Sequence, residues 1–402
     1  MSIAIYTLTS RLHDEAAVDK ETRRFLDSLQ IDYTLKGADF ADYGTSPLSL
    51  IYVRTGGTEG IFRDLLPQLR EQGSTPFLLL TSGKSNSLAA SMEILSYLRQ
   101  QGLKGEIIHG DAAYIAQRIN LFKAICEAHD KLSHCRLGVI GKPSDWLIAS
   151  QPDEDEIRRR MGISLVHVKM DELIDEVRSL PIKEVVGQES ESLPRHICEA
   201  LPGARNIYSA LKTIIARHSL DGFTIRCFDL LTAVHNTGCF ALATLNAEGI
   251  TAGCEGDIPA MLSMHIARAL TGETGFQANP STIDIATGTL LFAHCTIPLN
   301  MVERYEYDTH FESGIGVGIR GFMKEGPVTI FKTDGSLSRW FVAEGSLIRN
   351  QQEPMLCRTQ QIIRLDHPEE AAYFLNNPIG NHHIIIRGHH KQLLDSMMAF
   401  KD

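Results

Sequence analysis

The first two thirds of the chain alternate short apolar runs with amphipathic helical segments, and this alternation constrains the fold more than any other feature. SIAIYTL, LSLIYVRT and TPFLLLT have the length of buried strands, and IFRDLLPQLREQ carries apolar residues at helical spacing. Strands that alternate with helices form parallel sheets covered on both faces. The alternation resumes at CRLGVIGKPSDW, so the sequence predicts two doubly wound α/β domains, residues 1–132 and 133–282.

The pattern changes after about Pro280. TLLFAHCTIPL, GPVTIFK, SLSRWFVAEGSLI and TQQIIRL have strand character with turn residues between them, and only short helical patterns intervene. These segments predict a mostly antiparallel, barrel-like β domain over residues 283–402. A length of 402 residues also favours two or three domains over one core.

Composition narrows the possible partners. The formal net charge of −10 leaves no basic surplus for general nucleic-acid binding. No apolar stretch approaches the roughly 20 residues of a membrane-spanning helix, and MSIAIYTLTS lacks the features of a signal peptide. The eight cysteines are scattered without a C-x-x-C pair, which predicts reduced thiols. We therefore expect a cytoplasmic protein that binds neither nucleic acid nor membranes.

The segment AGCEGDIPAMLSMHI places two carboxylates where ligands of α/β sheets usually bind. Ala241–Leu245 and Gly249–Ala252 have the apolar character of strands, and Ile258–Leu270 has that of a helix. Glu255 and Asp257 then lie in a turn at the carboxyl end of a strand. Asp257 is also explained as a helix cap. Two carboxylates beside a thiol and a glycine nevertheless indicate a ligand-binding site.

Histidines from the later part of the chain are candidate ligands. His294 lies in an apolar strand, where a hydrogen-bonded core residue is the alternative. In GNHHIIIRGHH, His382 and His383 point to opposite faces of an extended strand, so at most one enters a given site. His389 and His390 are expected at the surface. A carboxylate with one or two imidazoles suits Mn²⁺ or a similar divalent cation and leaves positions open for a substrate.

From about Arg226 to the C-terminus, these segments resemble the L-fucose/L-arabinose isomerase family. The resemblance is carried by CEGDIPAMLSM with ALTG behind it, F-x-A-x-P, AHCTIP and GNHH. It implies two Rossmann-like α/β domains, a C-terminal β-barrel, and a homo-oligomer that is hexameric or built from trimers. It also implies Mn²⁺ bound between the central and C-terminal domains, and interconversion of aldoses and ketoses.

The resemblance also implies roles for individual residues. Glu255 matches the metal-binding catalytic glutamate of the family, and His382 matches its C-terminal metal-binding histidine. His294 matches a histidine ligand of the arabinose isomerase branch. The resemblance therefore predicts that these three residues bind the metal, with Glu255 acting also as acid and base.

One departure from the family concerns the second catalytic carboxylate. Fucose isomerases have an aspartate where this chain has Asn279, within FQANP. The amide oxygen of Asn279 is a candidate fourth ligand, but an amide accepts no proton at neutral pH. Isomerisation then requires that Glu255 act alone or that Asp257 or Asp284 supply the second carboxylate.

Five further residues are candidate substrate contacts. Thr58 and Glu59 in RTGGTE, and Asn86 in KSNSLAA, follow buried strands and precede helices. In the family the first domain of a neighbouring subunit closes the pocket, so these residues are predicted to contact substrate hydroxyls; helix caps are the alternative. His310 and Glu312 precede a glycine-rich turn and are predicted to line the pocket, with a surface turn as the alternative.

Three functions remain open from the sequence. The first is a Mn²⁺-dependent aldose–ketose isomerase that acts on a free monosaccharide through a cis-enediol. The second is a sugar-binding protein on the isomerase scaffold whose catalysis is impaired. The third is another metal-assisted transformation of a sugar, such as epimerisation or dehydration. The sequence also leaves open which group the sugar carries at its far end. This group could be a methyl, a hydroxymethyl or an anionic group, as in a sulfonated hexose.

Overall fold

The computed structural model describes residues 3–72, 76–186 and 191–400. It contains two compact units, one ending at Asp130 and the other running from Lys131 to Phe400. The predicted fold class is confirmed, because parallel α/β sheets precede a closed antiparallel β-barrel. The division into three domains at residues 132 and 282 remains a prediction. No helix in the described ranges combines the length and apolarity that a membrane span requires.

The first unit is a parallel sheet with helical connections. Its strands are β1 (Ile3–Leu8), β2 (Tyr33–Gly37), β3 (Leu48–Val53), β4 (Phe77–Leu80) and β5 (Gly105–Ile108). Its helices are α1 (Glu15–Ser28), α2 (Glu59–Glu71), α3 (Ser87–Gln100) and α4 (Ala112–Leu132), whose last residues pass into the second unit. The strand order is β2-β1-β3-β4-β5. Every residue of β1, β3 and β4 is buried, which explains their predominantly apolar sequences.

The second unit begins with a four-stranded parallel sheet in the order β7-β6-β8-β9. Its strands are β6 (Arg136–Ile140), β7 (Ser164–Val168), β8 (Gly222–Ile225) and β9 (Thr251–Gly253). The helices are α5 (Glu154–Met161), α6 (Met170–Ser179), α7 (Arg195–His218), α8 (Phe228–Val234), α9 (Cys239–Ala247) and α10 (Ile258–Thr271). The carboxyl ends of β6, β8 and β9 therefore lie side by side, and the turn before α10 starts there.

The prediction of a strand over Ala241–Leu245 is wrong, because these residues belong to α9. A surface helix shows its period as an apolar stripe beside polar residues. Six of the nine residues of α9 are buried, so the helix has no such stripe. A short, continuous apolar run of this kind has the same appearance as a buried strand.

A six-stranded antiparallel barrel in the order β10-β11-β16-β15-β14-β17 completes the second unit. The barrel strands are β10 (Gly275–Asp284), β11 (Thr289–His294), β14 (Gly326–Thr333), β15 (Trp340–Asn350), β16 (Thr359–Leu365) and β17 (His383–Arg387). The ribbon β12 (Arg304–Asp308) and β13 (Gly318–Phe322), helices α11 (Tyr373–Asn376) and α12 (Lys391–Phe400), and two 3-10 turns (Leu299–Met301, Pro368–Ala372) accompany it. Phe276, Phe292, Ile330 and Ile385 are fully buried in its core.

A buried histidine on α10 makes the stability of the fold sensitive to acid. His265 contacts the Thr251 hydroxyl at 3.0 Å and Cys135 Sγ at 3.3 Å, and its burial lowers its pKa to about 4. Between pH 6.5 and 4 the unfolded chain binds a proton that the folded chain does not, so stability falls as the pH falls. We expect this residue to remove about 3 kcal/mol of the free energy of unfolding between pH 7 and 4. Urea unfolding of wild type and His265→Gln at both pH values isolates this contribution; equal pH dependence in the two proteins would contradict it.

Candidate metal centre

The turn between β9 and α10 holds Glu255 in an unusual backbone conformation. Glu255 has a φ of 63° and Gly256 a φ of 68°. The Gly256 amide donates to the Ile225 carbonyl at 2.7 Å, and the Ser144 amide donates to the Glu255 carbonyl at 2.9 Å. A residue with a side chain in the left-handed region costs about 1–2 kcal/mol, and such strain is concentrated at functional sites. Contacts with the end of β8 and with the loop after β6 thus hold the backbone of this turn, and with it Glu255, in place.

Three potential metal ligands from separate segments meet in this region. Glu255 Oε1 lies 3.4 Å from His382 Nε2 and 3.8 Å from His294 Nε2. All three residues are buried, with at most 9% of each residue exposed, and their ligand atoms all lie within 4.8 Å of one another. His294 ends β11 and His382 directly precedes β17. Because β10 pairs with both strands, the barrel brings the two histidines together.

Both imidazoles are fixed through their Nδ1 atoms. His294 Nδ1 lies 2.8 Å from the Thr296 hydroxyl, and His382 Nδ1 lies 2.8 Å from Asp257 Oδ2. Their Nε2 atoms face Glu255. Nε2 of His382 is buried and has no hydrogen-bond partner within the described part of the chain, which is costly unless another group is bound there. One carboxylate and two imidazoles fit a divalent cation such as Mn²⁺.

The charges of the three groups are strongly linked. Burial alone would raise the pKa of Glu255, but His382 and His294 outweigh it and hold this pKa well below its usual value. Burial lowers the pKa of His294, which favours the neutral form of this ring. Burial opposes a charge on His382, but Glu255 and Asp257 raise its pKa to about 9. At pH 7 a cation and a proton therefore compete for His382 Nε2.

The other predicted catalytic residues have different surroundings. Asp257 is fully buried and caps α10, since its Oδ1 accepts from the Ala260 amide at 2.8 Å while its Oδ2 contacts His382. Asp284 is exposed at the far end of β10 and accepts from the Thr287 hydroxyl at 2.7 Å. Asn279 is half-buried, and its Oδ1 accepts from Asn381 at 3.2 Å. Its role as a fourth ligand stays a prediction.

His310 and Glu312 lie within electrostatic reach of the cluster formed by Glu255, His294 and His382. Burial lowers the pKa of His310 to about 4, with a further contribution from His294. Partial burial raises the pKa of Glu312, and the charge of Glu255 adds to it. The His310 ring also packs edge-on against Phe228, with 5.6 Å between the ring centroids. That these two residues line a substrate pocket stays a prediction.

Thr58, Glu59 and Asn86 belong to the first unit. Thr58 directly precedes α2 and is buried, and its hydroxyl donates to the Thr55 carbonyl at 3.0 Å. Glu59 is the first residue of α2, and Asn86 precedes α3 with a φ of 58°. All three therefore lie at helix starts, and their contact with substrate stays a prediction.

Sequence reasoning missed two residues, one that contacts the cluster and one that contacts Asp257 beside it. Trp146 Nε1 donates to Glu255 Oε2 at 2.7 Å, and Lys332 Nζ lies 3.7 Å from Asp257 Oδ1. Trp146 lies in the loop after β6, at the carboxyl end of a parallel strand, and this position was a usable signal. Lys332 ends the apolar run VTIFK. A lysine in a buried strand cannot reach solvent, and this was the signal in the sequence.

Loss of the Trp146 hydrogen bond should weaken the site. A hydrogen bond to a charged group contributes about 1.5–3 kcal/mol, so we expect Trp146→Phe to reduce metal affinity at least about tenfold in a chelator-competition titration. Trp340→Phe is the matched control, because Trp340 Nε1 donates to Asp395 Oδ1 at 3.0 Å, outside the cluster. Equal affinities of the two variants would contradict this role of Trp146.

No protein-family model matches this chain. A curated sulfoquinovose isomerase from a Clostridium species (strain MSTE9) is 24% identical over 229 residues, which is 54% of this chain and 49% of the relative. Sulfoquinovose isomerases from Priestia aryabhattai and Priestia megaterium are 24% identical over 230 residues, 54% of this chain and 50% of each relative. The match thus spans about half the length of these relatives. Over that region the chain is similar, at low identity, to curated sugar isomerases.

Proposed function

We propose that this chain is a divalent-metal-dependent aldose–ketose isomerase that acts on a free monosaccharide as a homo-oligomer. The buried group of Glu255, His294 and His382, with an unpartnered Nε2 on His382, carries the proposal. The similarity to curated sugar isomerases supports it. We propose Mn²⁺ as the cation, because a carboxylate and imidazoles together suit a metal of intermediate hardness.

Aldose–ketose isomerisation moves a proton between C1 and C2 of an open-chain sugar. It needs a base at carbon, an acid at oxygen, and stabilisation of the charge on the cis-enediol oxygens. Glu255, His294 and His382 would hold the cation, which supplies that stabilisation when bound. Trp146 binds Oε2 of Glu255 and so leaves Oε1 directed at the two imidazoles.

A second proton carrier is needed, because a carboxylate with the low pKa of Glu255 is a weak base. Asp257 and Asp284 are held by their hydrogen bonds, and Asn279 cannot take a proton. We propose Glu312 for this role, because it lies within electrostatic reach of Glu255 and because partial burial, with that charge, raises its pKa. His310, which is neutral at pH 7, would then bind a sugar hydroxyl.

The sugar we favour is a sulfonated hexose. The curated relatives are named for sulfoquinovose, and about half of each of them aligns with this chain. Thr58, Glu59 and Asn86 would contact its hydroxyls from a neighbouring subunit of the oligomer.

Solvent exchange tests the proposed reaction. The protein is loaded with Mn²⁺ in D₂O and incubated with sulfoquinovose, L-fucose, L-arabinose or D-arabinose while NMR follows the sugar. We expect deuterium at the carbon next to the carbonyl and formation of the matching ketose from at least one sugar. Absence of both with every sugar would contradict the isomerase.

Asn279 supports a second candidate, a sugar-binding protein without turnover. Its amide oxygen accepts a hydrogen bond from Asn381, and an amide cannot replace a basic carboxylate. This function predicts calorimetric binding of a sugar without deuterium exchange, and exchange that appears in Asn279→Asp. Exchange in the wild type excludes it.

A further inference from the structure

A lysine lies behind the cluster in a position where a charge is unusual. The Lys332 side chain, near the end of β14, is 1% exposed, and the Asp257 side chain beside it is 0% exposed. Lys332 Nζ has no hydrogen-bond partner within the ranges that the structure describes, and Asp257 Oδ1 lies 3.7 Å away. Apolar residues of similar size are often at least as stabilising as a buried ion pair, so such a pair requires another explanation.

The two oxygens of Asp257 have different partners. Oδ1 accepts from the Ala260 amide at 2.8 Å and faces Lys332, whereas Oδ2 contacts His382 Nδ1 at 2.8 Å. The helix terminus and the lysine therefore hold one edge of the carboxylate, and this orientation directs the other edge to the imidazole. Rotation of the carboxylate would break the contacts of Oδ1 and the contact of Oδ2 with His382 at the same time.

The orientation of His382 follows from this arrangement. With Nδ1 held by Asp257, the ring can only present Nε2 to Glu255 Oε1, 3.4 Å away. Groups that hold the second nitrogen of a metal-binding histidine fix its tautomer and direction, and their loss typically reduces metal affinity 10–100-fold.

We propose that Lys332 is a positioning residue that orients the ligand nitrogen of His382 through Asp257. The proposal rests on the proposed function, in which His382 binds the cation. Lys332 belongs to the barrel and Asp257 to the turn after the parallel sheet, so the lysine couples the barrel to the ligand geometry. Lys332 would fix the direction of the His382 imidazole, and it would contact neither the metal nor the sugar.

Cobalt binding tests this inference in the full-length protein. Co²⁺ affinity is measured by competition with a chelator, and the visible absorption of bound Co²⁺ reports ligand geometry. We expect Lys332→Met to lower affinity 10–100-fold and to shift the absorption bands. Ile330→Val, two residues away on β14, alters the barrel core without touching Asp257 and should retain both wild-type values.

The double variant Lys332→Met, Asp257→Asn removes both buried charges, and so it tests the proposal even where Lys332→Met alone fails to fold. We expect its affinity to match that of Asp257→Asn within about threefold, because the lysine acts only through the aspartate. Wild-type Co²⁺ affinity and spectrum in Lys332→Met or in the double variant would overturn the inference and leave only a structural role.

A crystal structure of the metal-free variant separates this inference from the proposed function. If the wild type binds no divalent cation, the proposed function fails. The positioning role still stands if the contact between Asp257 and His382 is lost in the variant, and it falls if that contact and the ring orientation are unchanged.

Discussion

Glu255→Gln should reduce the rate of solvent-deuterium exchange into the sugar by at least about 10³-fold. The amide keeps the size of the side chain but loses the negative charge that lies beside His382 and His294, and it cannot accept a proton from carbon. The rate is measured by NMR with wild type and variant at the same saturating Mn²⁺ concentration, so that weaker metal binding does not alone account for the loss.

Glu273→Gln provides the matched control for this substitution. Glu273 pairs with Arg387 at 3.0 Å on the surface and makes no contact with the cluster. The control should exchange at the wild-type rate. A Glu255→Gln rate within tenfold of this control would remove Glu255 from the chemistry.

The second large effect is expected from His382→Gln. Glutamine does not reproduce an imidazole whose Nδ1 is held by Asp257 and whose Nε2 faces Glu255. We expect the purified variant to retain little Mn²⁺ after dialysis, as measured by elemental analysis. Its exchange activity should fall with the bound metal.

The neighbouring histidine gives a sharp comparison. His383 points away from the cluster, contacts the Tyr373 hydroxyl at 3.1 Å and packs against Phe374. His383→Gln should lower the free energy of unfolding but retain the wild-type metal content. Equal metal content in both variants would exclude His382 as a ligand, and metal loss in both would indicate a general effect on the fold.

The parts of the site that follow from local sequence pattern were predictable. Glu255 follows a short strand and precedes a capped helix, so its place at a sheet edge could be predicted from CEGDIP alone. The alternation of an extended strand predicted that at most one of His382 and His383 faces a given site, and the resemblance to a known family indicated His382. The resemblance to a known family then connected these distant segments.

Other contacts depend on which segments the fold brings together. Nothing local in the sequence pairs Trp146 with Glu255, or Lys332 with Asp257. The same limit applies to α9, whose burial on most sides removed the polar residues that reveal a helical period. Periodicity identifies elements that border solvent, and it gives little information where an element is surrounded by protein.

The origin of the ligands has a consequence for how the protein responds to metal supply. Glu255 comes from the turn after the parallel sheet, whereas His294 ends barrel strand β11 and His382 directly precedes barrel strand β17. A cation bound to all three would add a further link between the parallel-sheet layer and the barrel layer. Such a bond makes folding sensitive to free metal: a concentration 100-fold above the dissociation constant adds about 2.7 kcal/mol to stability. Depletion of the ion would thus lower the stability of the fold by the same amount.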